Sequence, residues 1–294
     1  MEQSLPPRVT IITVTYNSSA VVESLLRSIP ASVPCILVDN ASRDAEDTRA
    51  LAAAHGARFI ENPKNAGFGP ACNQGAAQAD TEFLFFVNPD AELFENTLEH
   101  LLGAADAHPK ASAFNTRIVK GDGSLFFKRR SKLIAKSLWL GRDAAKQNGE
   151  VPVLSGGAML VRKSAFEQVG GFDPKIFLFH EDDDLSLRLK AECGPLRYVY
   201  GAQVRHLLGH STERSAKTAA LKAWYMGQSR VYGARKHGVP FGFLRALGEA
   251  SLQLVSPLNL LSARKRSKNW YYFRAILSSA GQKSADRPPP WQQV

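Results

Sequence analysis

Two groups of polar residues in this sequence stand where they could do chemistry. Asn88-Pro89-Asp90 follows five consecutive apolar residues, Phe83 to Val87. Such a run ending at a turn signal is typical of a strand buried on both faces, and ligands of α/β sheets bind at the carboxyl ends of such strands. Asp90 is therefore placed either to contact a ligand or simply to cap the next helix, and this segment alone leaves both interpretations open.

The second group is the acidic run that begins after His180, namely Glu181-Asp182-Asp183-Asp184. One or two acids satisfy a helix start, so four are more than capping requires. Repulsion among carboxylates raises the proton affinity of the least solvated one, which is how a carboxylate becomes a general base. The alternative interpretation is an over-acidic helix cap.

Two histidines, His206 and His210, end a late apolar segment. An imidazole beside a carboxylate such as Asp90 makes a mixed nitrogen and oxygen site for a divalent ion. A lone histidine is more often structural.

Polar residues also end two earlier apolar segments. Tyr16 and Asn17 follow the first, and Asp39 ends the second, where it could accept a hydrogen bond from a ribose hydroxyl or a base or form an Asx turn. Gly67, Gly69 and Gly75 lie in a third, Asn-rich loop whose spacing matches neither a dinucleotide fingerprint nor a P-loop. The glycines either let the backbone of this loop approach a ligand closely or form a turn that binds no ligand.

The elements that position these residues alternate between strand and helix four times over about the first 110 residues. This pattern predicts an α/β fold with a doubly wound, mostly parallel sheet. A long irregular excursion follows near residues 120–150, and then a strand, a helix and a late strand. From about Ser215 the chain reads as helical and basic, and we expect residues 281–294 to form a disordered, proline-rich tail.

The charge distribution is uneven along the 294 residues. The net charge is +10, and the segment from Arg205 to the end holds 15 Lys and Arg against 3 Asp and Glu. This excess favours an anionic partner for the last third, such as a membrane surface, nucleic acid or a phosphorylated substrate, over a merely solvated basic face. The three separated cysteines and the absence of a signal or spanning segment favour a reducing cytoplasm.

The segments TYN, VDNASRD, NxGFGxAxNxG, FFVNPDAEL, SGGAMLVRKSAFEQVGGFDPKIFLFHEDDDLSLR and VRHLLGHST occur here in the order seen in one enzyme family. Together they resemble family-two inverting glycosyltransferases of the GT-A fold, in particular bacterial rhamnosyltransferase-like enzymes of O-antigen and related polysaccharide synthesis. The resemblance covers about Arg8 to Thr212. It implies a catalytic domain at residues 1–212, with a nucleotide-sugar half at about 1–110 and an acceptor half at about 111–212. The basic helical region that we expect at 213–280 lies beyond the resemblance and is predicted from composition alone.

The resemblance also implies roles for individual residues. Asp182 would be the catalytic base, and Asp90 with His206 would bind Mg²⁺ or Mn²⁺. Gly156, Gly157 and Glu181 would border the acceptor sugar. The donor site would comprise Thr15, Tyr16, Asn17, Asp39, Asn65, Gly67, Phe68, Gly69 and Asn88. The family's DxD motif reads Asn-Pro-Asp here, so metal binding depends on one carboxylate of that motif.

These roles imply an enzyme that moves a sugar, with rhamnose expected first, from a nucleoside-diphosphate sugar to a glycan or lipid-linked glycan. A nucleotidyltransferase and a non-catalytic polysaccharide- or nucleic-acid-binding protein are the alternatives, although nucleic acid is not the partner we expect. The basic C-terminal helices would bind an anionic membrane surface, on the inner face of the cytoplasmic membrane, or pack on the catalytic domain or on a second copy of the chain.

Overall fold

The computed structural model describes residues 7–206, 215–259 and 262–292. The expected boundary at residue 212 and His210 lie outside these ranges. The four predicted strand–helix repeats begin the chain. Their elements are β1 (Val9–Thr15), α1 (Ser19–Ser28), β2 (Cys35–Asp39), α2 (Ala45–Ala54), β3 (Arg58–Glu61), α3 (Phe68–Ala76) and β4 (Phe83–Val87), with α4 (Thr97–Ala107) after the fourth strand.

The elements that follow complete one sheet. They are β5 (Ala91–Leu93), β6 (Ala113–Lys120), β7 (Leu125–Phe126), β8 (Gly149–Val151), β9 (Ala158–Arg162), α5 (Lys163–Gln168), α6 (Glu181–Glu192) and β10 (Leu196–His206). The strand order is β3-β2-β1-β4-β9-β6-β10-β5, and β7 and β8 pair at the side with β6 and β10. Among the first seven strands in that order only β9 runs against the others. The predicted α/β fold with a mostly parallel central sheet is confirmed.

The apolar run that ends at Asn88 is the buried strand that the sequence predicts. Every residue of β4 is buried, and alternate side chains enter opposite faces of the sheet. Phe83 and Phe85 join the core beneath α1 and α4, whereas Leu84 and Phe86 join the core that includes α3 and α6. Because both faces are covered, the only part of β4 that meets the cleft is its carboxyl end, where Asn88 and Asp90 lie.

Three helices, α7 (Ala216–Lys236), α8 (Gly242–Leu254) and α9 (Ala263–Ser278), form the C-terminal region. They pack against one another and on the sheet domain. Tyr225 of α7 stacks on Phe177 with ring centroids 4.2 Å apart. Lys236 and His237 at the end of α7 contact the fully buried carboxylate of Asp184 at 2.7 and 2.8 Å. Of the two expectations for these helices, packing on the catalytic domain is therefore observed.

The tail that the sequence predicts to be disordered makes specific contacts within residues 281–292. Ala285 is fully buried and pairs with Ile176 in an isolated parallel bridge. The carbonyl oxygen of Arg287 accepts hydrogen bonds from the side chains of Trp224 and Gln228 at 2.9 and 2.8 Å. Proline-rich composition indicated disorder, but proline also suits an extended segment that lies in a groove between packed helices.

No helix in the described part of the chain is both long and apolar enough to cross a membrane.

Candidate functional site

A cleft of about 410 Å³ opens at the carboxyl ends of β1 and β4. It gathers residues from segments that are distant in the sequence. Eleven of the fifteen predicted site residues line it: Tyr16, Asn65, Gly67, Phe68, Asn88, Asp90, Gly156, Gly157, Glu181, Asp182 and His206. The other four, Thr15, Asn17, Asp39 and Gly69, do not line it.

Asp39 is fully buried at the end of β2, and its carboxylate is occupied by neighbouring groups. Its Oδ1 accepts from the hydroxyls of Thr15 and Ser42 at 3.0 and 2.5 Å, and its Oδ2 accepts from the Ser42 N–H at 2.8 Å. This local pairing resembles the Asx-turn interpretation that the sequence left open, although the bond to the Ser42 N–H spans three residues instead of two, and Thr15 is a supporting donor. The predicted contact of Asp39 with a nucleotide stays a prediction.

Asn17 also forms hydrogen bonds with neighbouring residues. Its side-chain oxygen accepts from the Arg43 N–H at 2.9 Å, and its own N–H donates to Ser42 at 2.8 Å, with the backbone in the left-handed region at φ 53°. The two strand-end loops are thereby tied together, and the exposed ring of Tyr16 is held at the cleft.

The Asn-rich loop is fixed by a glycine that no other residue could replace without strain. Gly67 has φ 93°, and a Cβ there would lie 2.5 Å from the carbonyl oxygen of Phe177. That same oxygen accepts the Phe68 N–H at 3.0 Å, and Asn65 accepts the Gly67 N–H at 3.0 Å. Gly69, by contrast, allows α3 to pack on Phe172, since a Cβ would come within 2.9 Å of that side chain.

The predicted metal residues meet on one wall of the cleft, which we call the donor wall and define as Asn88, Asp90 and His206. The imidazole Nε2 of His206 lies 3.4 Å from Asp90 Oδ1 and 2.8 Å from Asn88 Nδ2. All three come together because β10 runs to the edge at which β4 ends. Burial lowers the pKa of His206 while Asp90 opposes the shift, so the neutral imidazole is favoured at neutral pH.

The donor wall carries an incompletely paired carboxylate, which fits a cation. Asp90 is 3% exposed, and its Oδ2 is buried with no hydrogen-bond partner in the described part of the chain. A buried anionic oxygen without a partner is costly unless a cation satisfies it. No cluster of three or more His, Cys, Asp or Glu suited to a metal ion occurs among the described residues, so water and substrate phosphates would complete the ligand set.

A second group at the cleft, which we call the base wall, consists of Gly156 and Asp182, which line the cleft, and Lys128, which contacts Asp182. Asp182 Oδ2 accepts from Lys128 Nζ at 2.6 Å and from the Gly156 N–H at 2.9 Å, and its Oδ1 accepts from the Asp183 N–H at 2.8 Å. A Cβ on Gly156 would lie 3.2 Å from Asp182 Cβ, so glycine lets the two backbones approach. The carboxylate is held by three donors and faces the cleft.

The acids around Asp182 differ in their charge states. Burial, and then the Asp182 carboxylate, raise the pKa of Glu181 to about 8, which favours the neutral acid at neutral pH. Burial opposes ionisation of Asp183, but Lys128 and His180 outweigh it and lower the pKa of Asp183. Burial likewise opposes ionisation of Asp184, yet contacts with His237, Arg188 and Lys236 lower its pKa to about 2.

Three residues that line the cleft or hold its carboxylates were missed by sequence reasoning. Lys128 comes from the irregular excursion after β6, and Lys222 and Tyr225 come from α7. Burial lowers the pKa of Lys222, and the nearby Asp90 charge raises it, which places this amine close to the donor wall. The sequence did indicate a basic C-terminal third, but not that part of it enters the cleft.

A second, larger cavity of about 720 Å³ adjoins the cleft at Asp182. Five residues line both spaces: Phe126, Ser155, Phe179, Glu181 and Asp182. Its remaining lining includes side chains of the excursion and of α7, α8 and α9. A carboxylate shared by two cavities can act on a group that reaches it from either side.

Comparison with known proteins places the chain among sugar-transferring enzymes. Residues 10–170 match the family described as Glycosyl transferase family 2. The N-acetylglucosaminyl-diphospho-decaprenol L-rhamnosyltransferase of Mycobacterium tuberculosis is 30% identical over a 292-residue alignment that covers 88% of this chain and 94% of the relative. The rhamnosyltransferase WbbL of Escherichia coli is 30% identical over 172 residues, which cover 54% of this chain and 64% of WbbL.

Solved structures agree on the fold. The mannosyltransferase PcManGT from Pyrobaculum calidifontis, in complex with GDP-Man and Mn²⁺, superposes with a TM-score of 0.60 at 16% identity, covering 96% of this chain and 89% of that one. Staphylococcus aureus TarS 1-349 in complex with UDP-GlcNAc superposes with a TM-score of 0.55 at 14% identity, covering 92% and 91%. Both likenesses identify the fold as GT-A, as the sequence predicted.

Proposed function

Because the chain belongs to glycosyl transferase family 2, whose activity is sugar transfer, we propose that it moves a sugar from a nucleoside diphosphate to a lipid-linked glycan with inversion. One observation carries the proposal: the Asp182 carboxylate stands at the boundary between the cleft and the second cavity. A base in that position can reach an acceptor hydroxyl in one space while the donor occupies the other.

The reaction is a single displacement at the anomeric carbon. Asp182 removes the proton of the acceptor hydroxyl while its oxygen forms the new bond to the sugar. The bond from the anomeric carbon to the diphosphate oxygen breaks, and the nucleoside diphosphate leaves with the electron pair. Gly156 and Lys128 hold the carboxylate in position during this step.

The donor wall would hold a divalent ion, Mg²⁺ or Mn²⁺, through Asp90 and His206. The orphaned Oδ2 of Asp90 supports this assignment. When bound, such an ion would neutralise charge on the leaving diphosphate. Asn88 fixes the imidazole of His206, and Lys222 adds a positive charge to the same part of the cleft.

The proposed donor sugar is rhamnose. The support is the relative from Mycobacterium tuberculosis, whose name specifies an L-rhamnosyltransferase acting on a diphospho-decaprenol glycan and which aligns with most of this chain. Surface polysaccharide synthesis in bacteria is the corresponding proposed process. Donor-binding roles for Tyr16, Asn65, Gly67 and Phe68 are supported by their place on the cleft wall.

A panel of nucleotide sugars, with thymidine-diphosphate rhamnose first, tests the function. We expect release of free nucleoside diphosphate and a product whose anomeric configuration, read by NMR, is opposite to that of the donor. Release of pyrophosphate would indicate the alternative nucleotidyltransferase, and no turnover of any donor would favour a non-catalytic binding protein.

We also propose that α8 attaches the enzyme to an anionic membrane surface. Leu244 and Leu252 recur at helical spacing on α8, so they share one face, and Phe241 and Val255 lie at the two ends of the helix. In chain order, these four side chains are 73%, 59%, 72% and 78% exposed. Arg264 and Lys265 lie exposed on the neighbouring α9. An apolar face flanked by cations is the composition of an interfacial helix, whose attachment is reversible and screened by salt.

Vesicle sedimentation tests this attachment. The protein should sediment with vesicles containing anionic lipid at low salt and be released near ~1 M salt, at which the Debye length is about 3 Å. Leu244→Ser with Leu252→Ser should abolish sedimentation, whereas Leu138→Ser with Leu277→Ser, which alters exposed leucines elsewhere, should not. Equal sedimentation with neutral and anionic vesicles would contradict the proposal.

A further inference from the structure

The second cavity has the position and the size of an acceptor site. It meets the cleft only along the residues shared by the two spaces, among them Asp182. If the donor occupies the cleft, as the proposed function requires, an acceptor hydroxyl must reach Asp182 from this cavity. A volume of about 720 Å³ is that of a site for a molecule the size of a small glycan head group.

Part of the positive charge on the cavity wall is balanced by the protein's own acids. Lys128 is paired with Asp182 and Asp183 at 2.6 and 2.8 Å. On the opposite side, Glu249 of α8 is paired with both Lys132 and Arg230 at 2.9 Å. These ion pairs connect the excursion after β6 to α6 and to the C-terminal helices. They hold this part of the cavity wall in place.

Three further cations on the wall have no such balance. Arg129, Arg130 and Lys268 line the cavity, and none of them forms an ion pair with a carboxylate in the described ranges. Arg130 lies over the ring of Trp139, with its guanidinium carbon 5.3 Å from the ring centroid. Burial, and then the charges of Arg130 and Arg142, lower the pKa of Arg129, as expected where cations crowd without an anion.

We propose that Arg129 and Arg130, with Lys268, bind the diphosphate that links the acceptor glycan to its lipid. A guanidinium presents a planar fork of donors that matches phosphate oxygens, and two adjacent arginines suit a group with two phosphates. The positive charge of these three residues would be balanced by the diphosphate, which lies next to the sugar in such a substrate.

The lipid has a path out of this site. Glu249 and Gln253, one helical turn apart on α8, both line the cavity. Leu252, the neighbour of Gln253, belongs to the exposed apolar face of the same helix. A glycan at Asp182, a diphosphate at the arginines and a lipid along α8 therefore form a continuous arrangement that ends at the proposed membrane surface.

Binding of farnesyl diphosphate, measured by calorimetry with EDTA present to exclude metal-dependent binding at the donor wall, tests the proposal. We expect Arg129→Gln with Arg130→Gln to weaken binding by about 10- to 100-fold, since hydrogen bonds to charged groups are lost. The matched control, Arg27→Gln with Arg58→Gln, removes the same charge from the exposed surface of the nucleotide half and should bind like wild type. Lys268→Gln should have a smaller effect in the same direction.

Farnesol, which lacks the diphosphate, should bind equally to all four proteins. Farnesyl diphosphate affinity that is equal in the two double variants would overturn the proposal, as would a parallel loss of farnesol binding. Melting temperatures establish that each variant is folded. Failure of the proposed function is separate, because it would appear as no turnover of any nucleotide sugar by the wild type, an assay that does not involve these substitutions.

Discussion

The donor wall and the base wall each present one carboxylate to the same cleft, the buried Asp90 and the half-buried Asp182, and the two carboxylates are paired differently. Asp90 has one oxygen with no hydrogen-bond partner within the described ranges, and the imidazole of His206 and the amide of Asn88 lie next to it. Asp182 has three hydrogen-bond donors, one of them the ammonium of Lys128. An incompletely paired carboxylate destabilises the empty protein and gains most when a cation arrives. The donor wall is therefore suited to binding and the base wall to positioning.

The largest effect that follows from this difference is on turnover. Asp182→Asn keeps the size of the side chain but removes its basicity, so we expect kcat to fall by about 10²- to 10⁴-fold, the usual contribution of a positioned base. Donor affinity should stay within about threefold of wild type because the donor wall is untouched. Steady-state kinetics and donor titration provide both measurements.

Asp143→Asn, which removes an exposed carboxylate outside both walls, is the matched control and should leave kcat unaltered. Turnover of the Asp182→Asn enzyme within threefold of wild type would remove Asp182 from the chemistry. Both walls would then have to be reinterpreted, since no distinction between binding and positioning would remain.

Asp90→Ala should produce the reverse pattern. Loss of the orphaned carboxylate should weaken donor binding by on the order of 10- to 100-fold and abolish its dependence on Mg²⁺ or Mn²⁺, because a charged interaction is lost. Calorimetric titration of the donor with and without metal measures this. Unaltered metal-dependent affinity would mean that Asp90 only caps the turn after β4.

The sequence predicted the donor wall better than the base wall, for a physical reason. β1 and β4 lie within a single parallel layer whose apolar runs end at the cleft, so the sequence predicted Phe83–Val87 with its observed bounds and placed Tyr16 directly after β1. Asp90 follows directly from where β4 ends. The short strand β5 was missed because its three residues pair with β10, more than 100 positions later.

Lys128 and Tyr225 could not have been found in this way. Lys128 lies in a segment with little regular structure, and what brings it to Asp182 is the packing of that segment against α6 and the C-terminal helices. Tyr225 lies on α7, whose periodicity predicts a helix but not the partner of each face. At Asp39 the sequence left two interpretations open, and the structure shows its carboxylate accepting from local N–H and hydroxyl donors.

Glu181 is a third carboxylate of the cleft, and its pairing resembles neither that of Asp90 nor that of Asp182. Among the residues that the structure describes, neither its buried Oε2 nor Oδ2 of Asp90 has a hydrogen-bond partner, yet Glu181 lies beside Asp182 rather than at the proposed cation site. Burial and then Asp182 raise its pKa from 4.5 to about 8. Of these three carboxylates, Asp90 keeps one oxygen without a hydrogen-bond partner among the described residues, Asp182 is paired with Lys128, and Glu181 is favoured in its neutral form.

The smallest predicted effect is the pH dependence of stability that Glu181 creates. Between the ordinary pKa and the raised one, the folded protein binds more protons than the unfolded chain, so the free energy of unfolding falls as pH rises through this window. From about pH 6 to about pH 8 the loss should be about 1 to 2 kcal/mol. Glu181→Gln, which cannot ionise, should lack this loss and gain stability relative to wild type by the same amount.

Urea unfolding of both proteins at the two pH values measures that difference. Glu192→Gln, an exposed position on the same helix, is the control and should follow wild type. If the free energy of unfolding of Glu181→Gln changes with pH as that of the wild type does, Glu181 is not held in its neutral form in the folded protein. The base wall would then hold a charged Glu181 beside Asp182, and Lys128 would have to balance three carboxylates instead of two.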